Sequence, residues 1–479
     1  SRCDLMQGLL VFVTLGSCTR QLPPAAQPLK IRATAWSAHR SRMPVSMAPP
    51  FVPRNLIACY GCGAALQCDD AGAAGYVEAE RFEVKQRHRQ LRQTLCCRCR
   101  SLTQGEILPA VAEGRLRDEG EEGVITPEQL RTQLLPLRER KVFVVLLVDL
   151  TDLSGSLLPR VRDLIGANPI FLVGTKADLL PKGTRLDSVE AWLREVASAK
   201  LGTVLGTVLV SGKTGFGVRA ASQAIRAERR GRDVFVLGAA NVGKSLFIAA
   251  FLDGAYGGKP KRLPISSQTP GTTLAPVAIE AFSGGSKLYD TPGVHLAHRL
   301  SAQLLPCELR VVLPRGRMRP YTPDVMDAAG SSFFWGGLVR IDVVRGPSAL
   351  RLSFCAFNMR VHHVPDTAHA DDAYLANAGA QWTPPLSVGS AKQLGGLVRR
   401  KTVALQLQPM EQAADISISG LGWISVGCLP SIEARRGDGQ GAPLLEAELA
   451  VWVPRGVEVM VRSPMPVSGL ATRHEIQSP

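Results

Sequence analysis

Eight consecutive residues, Gly238-Ala239-Ala240-Asn241-Val242-Gly243-Lys244-Ser245, fit the spacing G-x-x-x-x-G-K-[ST]. Such a loop turns its backbone N–H groups inward as an anion nest at the start of a helix. Lys244 then reaches the β- and γ-phosphates of a nucleotide, and the Ser245 hydroxyl ligates Mg2+. The flanks agree: Val234-Phe235-Val236-Leu237 reads as a strand before the loop and Leu246–Leu252 as a helix after it. Further on, Asp290-Thr291-Pro292-Gly293 fits D-x-x-G, in which the Asp holds Mg2+ through water and the Gly amide senses the γ-phosphate. Between them, Pro270-Gly271-Thr272-Thr273 falls where a loop would offer the hydroxyl of Thr272 or Thr273 to the same metal. D-x-x-G alone is a weak signal, but three phosphate elements in this order and spacing are not a coincidence.

The residues that would read the base stand upstream of the phosphate loop. Thr175-Lys176-Ala177-Asp178 follows the strand-like Ile170-Phe171-Leu172-Val173 and fits N-K-x-D with Thr in place of Asn. Asp178 would accept hydrogen bonds from N1–H and the exocyclic amine of guanine, donors that adenine does not present in that geometry, while Lys176 would lie along the base. Ser211-Gly212-Lys213 closes the next strand and fits the S-A-K loop, whose backbone N–H meets the guanine carbonyl. Nothing after Gly293 fits N-K-x-D. Base-reading loops therefore come first and phosphate loops second. A circular permutation preserves such a site, because closing the loops of one sheet around a ligand does not depend on where the chain is cut. Thr175 keeps a hydroxyl but lacks the paired amide contacts of Asn, so a somewhat weaker nucleotide affinity is expected.

A second cluster is metal-binding in character. Cys59-Tyr60-Gly61-Cys62 and Cys96-Cys97-Arg98-Cys99 give C-x2-C and C-x2-C with 33 residues between. Each pair forms a tight knuckle presenting two thiolates, and Cys59, Cys62, Cys96 and Cys99 close a tetrahedral shell of structural Zn2+ type. Cys68 and Cys97 are spare, and the basic stretch Arg81–Arg92 is expected to project as a helical lobe. The pair His362-His363, with His295 and His298, reads as solvated loop histidine rather than a second metal site.

These loops need a sheet to hold them. Short continuous apolar runs (Val142–Leu150, Pro169–Gly174, Thr207–Ser211, Asp233–Gly238) alternate with helical stretches at Leu157–Ile165, Leu186–Lys200 and on to about Arg230. That alternation predicts an α/β domain with a parallel sheet covered by helices on both faces. Past Gly293 the pattern changes to shorter β-rich pieces (Phe333–Val344, Ile416–Val426, Leu449–Val461), a separate α+β C-terminal domain. The expected division is 1–55, a presequence; 56–140, the four-cysteine zinc-finger domain and linker; 141–300, the nucleotide-binding domain; and 301–479, the C-terminal domain.

The 479 residues are 45% hydrophobic and 20% charged, enough apolar content for two to four cores and too much for disorder throughout. No apolar run reaches the roughly 18–20 residues that span a bilayer. A net charge of +15 favours an anionic partner and by itself leaves nucleic acid and an anionic membrane surface open. Residues 1–55 hold seven basic residues and one acid among Ser, Ala and Pro, after a short apolar run Leu9–Leu15, as an organelle presequence would. The eleven cysteines are too sparse and too clustered for a disulfide scaffold, which points to a reducing compartment.

Taken together, the knuckles, Val148-Asp149-Leu150, Gly155-Ser156, Thr175 to Pro181, Asn241 to Ser245, Pro270 to Thr273, Asp290 to Gly293, Phe333 to Leu338 and Ser419 to Trp423 resemble the YqeH-type circularly permuted GTPases, nearest to their plastid NO-associated branch in plants and algae. The resemblance covers nearly all of Cys59 to Pro464. It implies binding and hydrolysis of GTP to GDP, a partner in rRNA or the small ribosomal subunit, a role in ribosome assembly, RNA binding by the C-terminal domain, and plastid stroma, with mitochondrion as the alternative. Val294 stands where a water-orienting Gln would be expected, and Asn241 stands where related GTPases hold K+, so slow, K+-stimulated hydrolysis is expected. From another class, a GTP-binding scaffold on an rRNA particle without meaningful turnover is the alternative. Synthesis of nitric oxide, suggested only by the branch's name, is rejected: there is neither a C-x-x-C-H haem motif nor a separate dinucleotide fingerprint. Oligomeric state is left open.

Overall fold

The computed structural model describes residues 57–103, 127–256, 275–429 and 445–470. Its central element is a six-stranded sheet: β1 (Phe143–Asp149), β2 (Ile170–Thr175), β3 (Gly206–Leu209), β4 (Val234–Leu237), β5 (Val277–Ile279) and β6 (Leu288–Asp290). Their spatial order is β3-β2-β1-β4-β6-β5. β1 lies in the middle and pairs in parallel with both β2 and β4, and every residue of β1, β2 and β4 is buried. This is why they read as unbroken apolar runs rather than alternating ones. Only β5 departs from the expected all-parallel sheet. The link from Ile279 to Leu288 is too short for a crossover helix, so β5 returns antiparallel to β6.

The helices follow their apolar stripes. Leu186–Leu201 buries Val189, Trp192, Leu193, Ala197 and Leu201 along one face and stops at Gly202, φ 70°. The helical stretch expected over Leu157–Ile165 is instead two short turns, Leu153–Ser156 and Val161–Ile165. Pro159 supplies no N–H between them, and Arg160 sits at φ 52°, outside the right-handed region.

Beyond residue 300 two antiparallel sheets face each other. One has the order β10-β7-β8-β14-β11 and the other β15-β12-β13-β9. The strands are β7 (Ser332–Trp335), β8 (Val339–Arg345), β9 (Leu350–Cys355), β10 (Val361–Val364), β11 (Val398–Leu407), β12 (Gln412–Ile418), β13 (Gly422–Cys428), β14 (Leu445–Val453) and β15 (Val459–Arg462). The four-stranded sheet is buried on both faces, and its period-two alternation shows against what. Ile416, Ile418, Ile424, Val426 and Phe354 pack into a core with the five-stranded sheet. Trp423 and Cys355 point the other way and belong to the core of the six-stranded sheet. At that second face Arg462 lies between the rings of Trp192 and Trp423, 4.9 and 5.3 Å from their centroids. The three sheets are thus stacked, and His362 and His363, expected on a loop, lie on β10. Their rings stack on Trp382 and Phe333; His362 is half-buried there, while His363 stays exposed.

The nucleotide site and the four-cysteine cluster

Four of the expected loops, with the end of β1 between them, leave the carboxyl ends of five neighbouring parallel strands. Asp149 ends β1, Thr175 ends β2, Ser211 follows β3, Gly238 follows β4, and Asp290 ends β6. In an open α/β sheet this edge is where ligands bind. The central position of β1 joins the base-reading half, β2 and β3, to the phosphate half, β4 and β6. The chain order of the two halves therefore leaves the site unchanged.

Within the phosphate loop, Asn241 adopts φ 63° and Gly243 φ 93°, the left-handed turns that aim successive N–H groups to one side. The helix Lys244–Tyr256 starts directly behind them. Lys244 is buried, and its Nζ donates to the carbonyls of Gly238 and Ala239, both at 3.1 Å. Burial lowers its pKa to about 8 against the opposing pull of Asp290. An ammonium in that position lacks a strong counter-charge, and a nucleotide's phosphates supply one. Asp290 is buried at the end of β6 beside β4, paired in register with Val236. Ser245, at the start of the helix, and Asp290 are the described groups that would hold Mg2+. Thr272 and Thr273 lie outside the described residues.

The D-x-x-G end is fastened to the phosphate loop. Ala240 N–H donates to Val294 C=O at 2.8 Å, and Val294 N–H to Gly238 C=O at 3.4 Å, so Val294 extends the sheet by one bridge. A Cβ on Gly293 would stand 3.0 Å from Lys244 Nζ and 3.1 Å from Ala240 Cα, which only glycine avoids. Val294 itself is buried and offers no polar group to an attacking water.

On the base side, Thr175 is buried, and its Oγ1 lies 2.6 Å from the Val242 carbonyl of the phosphate loop and 3.0 Å from that of Val148. The tie between base loop and phosphate loop thus survives the replacement of Asn, as one hydroxyl contact. Lys176 adopts φ 62° and pairs with Asp149. Burial pushes the Asp149 carboxyl up, but Lys176 and the Thr151 hydroxyl outweigh it and hold the group below its ordinary range. Asp178 is half-buried at the mouth, with Lys213 exposed on the neighbouring loop. Gly212 stands where S-A-K has Ala: a Cβ there would meet the Leu246 carbonyl carbon at 2.9 Å and Phe247 N at 3.0 Å. The base-reading loop packs directly on the phosphate-loop helix, and glycine allows it.

One constellation is not apparent from spacing. Arg299, buried, donates from Nη1 to the Ala240 carbonyl at 2.9 Å and from Nε to Asp152 Oδ2 at 3.1 Å. Asp152 also accepts from Gly155 N–H at 3.1 Å and from Gly420 N–H, in the turn between β12 and β13, at 2.9 Å. Burial raises the Asp152 pKa and Arg299 opposes it. Leu300 N–H donates to Ser419 C=O at 2.7 Å, and Glu458 N–H to His298 C=O at 3.1 Å. The segment after D-x-x-G is therefore bonded to the phosphate loop at one end and to the C-terminal sheets at the other. Asp149 and Asp152, three apart behind an apolar run, were a readable signal; Arg299 had none.

Cys59, Cys62, Cys96 and Cys99 are all buried, with ligand atoms within 4.8 Å of one another. Cys96 N–H donates to Cys59 Sγ at 3.3 Å, and the Sγ atoms of Cys62 and Cys96 are 3.8 Å apart. The donor set fits Zn2+. Cys68 and Cys97 stay outside the cluster, half-buried. Of the expected helical lobe Arg81–Arg92, the helix Ala79–Arg87 ends early; its Phe82 packs partly on the cysteine cluster, and Leu91 is buried in a separate short turn, Leu91–Gln93.

Fold and site define a GTPase whose base-reading strands precede its phosphate-binding strands, a circularly permuted GTPase that takes GTP, GDP and Mg2+. Residues 233–314 match the family model described as "50S ribosome-binding GTPase". The chain is 42% identical over 437 residues to "Putative nitric oxide synthase" of Oryza sativa subsp. japonica, covering 88% of this chain and 79% of that one. It is 39% identical over 451 residues to "NO-associated protein 1, chloroplastic/mitochondrial" of Arabidopsis thaliana, covering 89% and 79%. To "Uncharacterized protein YqeH" of Bacillus subtilis (strain 168) it is 29% identical over 406 residues, covering 85% and 98%. The chain belongs to the YqeH-type, NO-associated family of circularly permuted GTPases. Among the described residues no helix is long and apolar enough to cross a membrane.

Proposed function

We propose that this GTPase is an assembly factor for the small subunit of organellar ribosomes, acting in the plastid, with its grip on rRNA set by the bound nucleotide. The observation that carries the reading is the path from Ala240 through Arg299 and Asp152 to the Gly420 turn. A change at the γ-phosphate has a short, bonded route to the C-terminal sheets, where β11 exposes Arg399, Arg400 and Lys401 to a phosphate backbone. An organelle is supported by the words "chloroplastic/mitochondrial" in the name of the Arabidopsis relative. The division at 56–140, 141–300 and 301–479 is proposed as the functional one.

For the site, we assign Asp178, Lys176, Thr175 and the backbone of Ser211-Gly212-Lys213 to guanine. The loop Gly238, Asn241, Val242, Gly243, Lys244 and Ser245 takes the phosphates, Gly293 senses the γ-phosphate, and Ser245, Asp290 and Thr272 or Thr273 hold Mg2+. When bound, Mg2+ neutralises charge between the β- and γ-phosphates. Lys244 adds a second positive charge there and is drawn into its protonated form by the phosphates. Val294 cannot orient water, so hydrolysis depends on charge near Asn241, which K+ supplies, and turnover is slow until a ribosomal particle completes the site.

The subunit is the open choice, since the matching family model is described by the large one. Co-sedimentation of the full chain with purified small and large subunits, with GDP and with the β,γ-imido analogue of GTP, tests it. Retention on small subunits, stronger with the analogue, is the expected result; retention on large subunits alone contradicts the reading. Hydrolysis measured in K+ and in Na+ tests the cation, and equal rates remove it.

A further inference from the structure

Among the described residues, the four-cysteine cluster is hydrogen-bonded to the segment that leads into β5 of the nucleotide-binding sheet. Ala275 N–H donates to the Cys62 carbonyl at 3.1 Å. Next to it Gly63 adopts φ 77°, and a Cβ there would stand 2.5 Å from the Ala275 carbonyl oxygen and 3.2 Å from the Ala275 Cβ. The knuckle backbone therefore lies flat on Ala275, and glycine at 63 permits it. The position of Gly63 is itself set by the cluster, since its N–H closes the knuckle on the Cys59 carbonyl at 2.9 Å.

Ala275 stands two residues before β5, the edge strand of the sheet. β5 has three residues, none fully buried, and of these Ile279 packs partly on the core. So short a strand with so little apolar burial depends on its anchors. Its first residue, Val277, pairs with Asp290, the acid assigned to Mg2+. One backbone path thus runs from the thiolate cluster through Cys62 and Ala275 into the strand that flanks Asp290.

The cluster's own core is small: Val77 with the partly buried Leu66, Phe82 and Leu95. A unit of that size holds its shape through the metal and loses it when the metal leaves. We propose that the four-cysteine cluster is a positioning element for the Mg2+ end of the nucleotide site: metal occupancy strengthens Mg2+-nucleotide binding, and Mg2+-nucleotide strengthens metal binding, through the contact between Cys62 and Ala275. This rests on GTP binding alone and is independent of the ribosomal partner. Reciprocity makes both directions equal in size, and the net worth of one backbone hydrogen bond sets the size at about fivefold.

Zinc affinity of the full chain, measured by competition with a chromophoric chelator, is compared without nucleotide, with Mg2+-GDP, and with the Mg2+-bound imido analogue. Two variants cut the contact from opposite sides without touching a cysteine. Gly63→Asn tolerates the left-handed backbone but adds the clashing Cβ, and Ala275→Pro removes the donor. The expected result is about fivefold tighter zinc with Mg2+-nucleotide in the native chain and no such gain in Ala275→Pro, each still binding one zinc. Nucleotide affinity after zinc stripping should fall by the same factor in the native chain only. Should Gly63→Asn lose its zinc altogether, Ala275→Pro decides. A native chain whose zinc affinity ignores nucleotide, or an Ala275→Pro chain that keeps the full gain, overturns the proposal.

Discussion

The phosphate loop is held from two sides by different chemistry. Towards the base, its neighbours are uncharged: the Thr175 hydroxyl on the Val242 carbonyl, and Gly212 packed against the backbone of Leu246 and Phe247. Towards the γ-phosphate, the hold is ionic and reaches into another layer, through Arg299 on Ala240, Asp152 on Arg299, and Gly420 on Asp152. A neutral, close-packed contact has one good geometry and suits a site that must recognise the same base in every state. A buried ion pair with several hydrogen bonds can redistribute them, which suits a site whose ligand changes charge on hydrolysis. The permutation places the second kind of contact on the segment that leads from D-x-x-G into the C-terminal sheets.

The largest consequence of the difference is in stability. Arg299→Met leaves Asp152 buried without its counter-ion, and roughly 3–5 kcal/mol of unfolding free energy should be lost, measured by chemical denaturation. The double variant Arg299→Met, Asp152→Asn should regain a substantial part of it. Equal losses in the single and double variants would make Arg299 a packing residue and remove the ionic half of the contrast.

On the neutral side the effect is on affinity. Thr175→Val keeps the shape and removes the hydroxyl, leaving the Val242 carbonyl short of a donor; GDP binding should weaken about tenfold, the worth of roughly 1.4 kcal/mol. Thr175→Asn, by restoring amide contacts, should not weaken it at all. Fluorescent-nucleotide titration reads both.

The smallest effect is in pH. Lys244 in the nucleotide-free chain has a pKa of about 8, below its value in an unfolded chain, and the phosphates of a bound nucleotide raise it. Binding therefore takes up a proton once the free lysine has begun to lose its own, and affinity falls as pH rises through 8. Between about pH 7.5 and 8.8 the loss should be about fivefold. Calorimetry in buffers of different ionisation enthalpy shows the uptake directly, and a flat affinity over that range would put Lys244 in a different protonation state.

Much of this was legible in the sequence because the loops are built from residues with few substitutes. The nest needs glycines before Lys244, guanine needs a carboxylate, and a tetrahedral thiolate shell needs paired cysteines. Those signals survive permutation because they depend on strand ends rather than on chain order. What was not legible is set by packing. That Gly212 excludes Ala follows from the approach of Leu246, 34 positions away in sequence. Arg299, buried against Ala240, looks from sequence like any arginine after a loop. The antiparallel turn of β5 follows from the length of a link rather than from any motif, and the stacking of His362 on Trp382 needed the third sheet to be seen.

The central claim is that loops read in the reverse of the usual order meet in one guanine site. Asp178→Asn replaces an acceptor by a group that carries donors, so the variant should reject guanine and accept xanthine, whose edge presents a carbonyl where guanine has its amine. Binding of GDP and of xanthosine diphosphate to the native chain and the variant is the direct measurement. A GDP affinity weakened by about a hundredfold, with xanthosine diphosphate now bound more tightly than GDP, is the expected result. Unchanged GDP affinity in Asp178→Asn would mean that the upstream loop does not read the base and that the site is assembled from other residues.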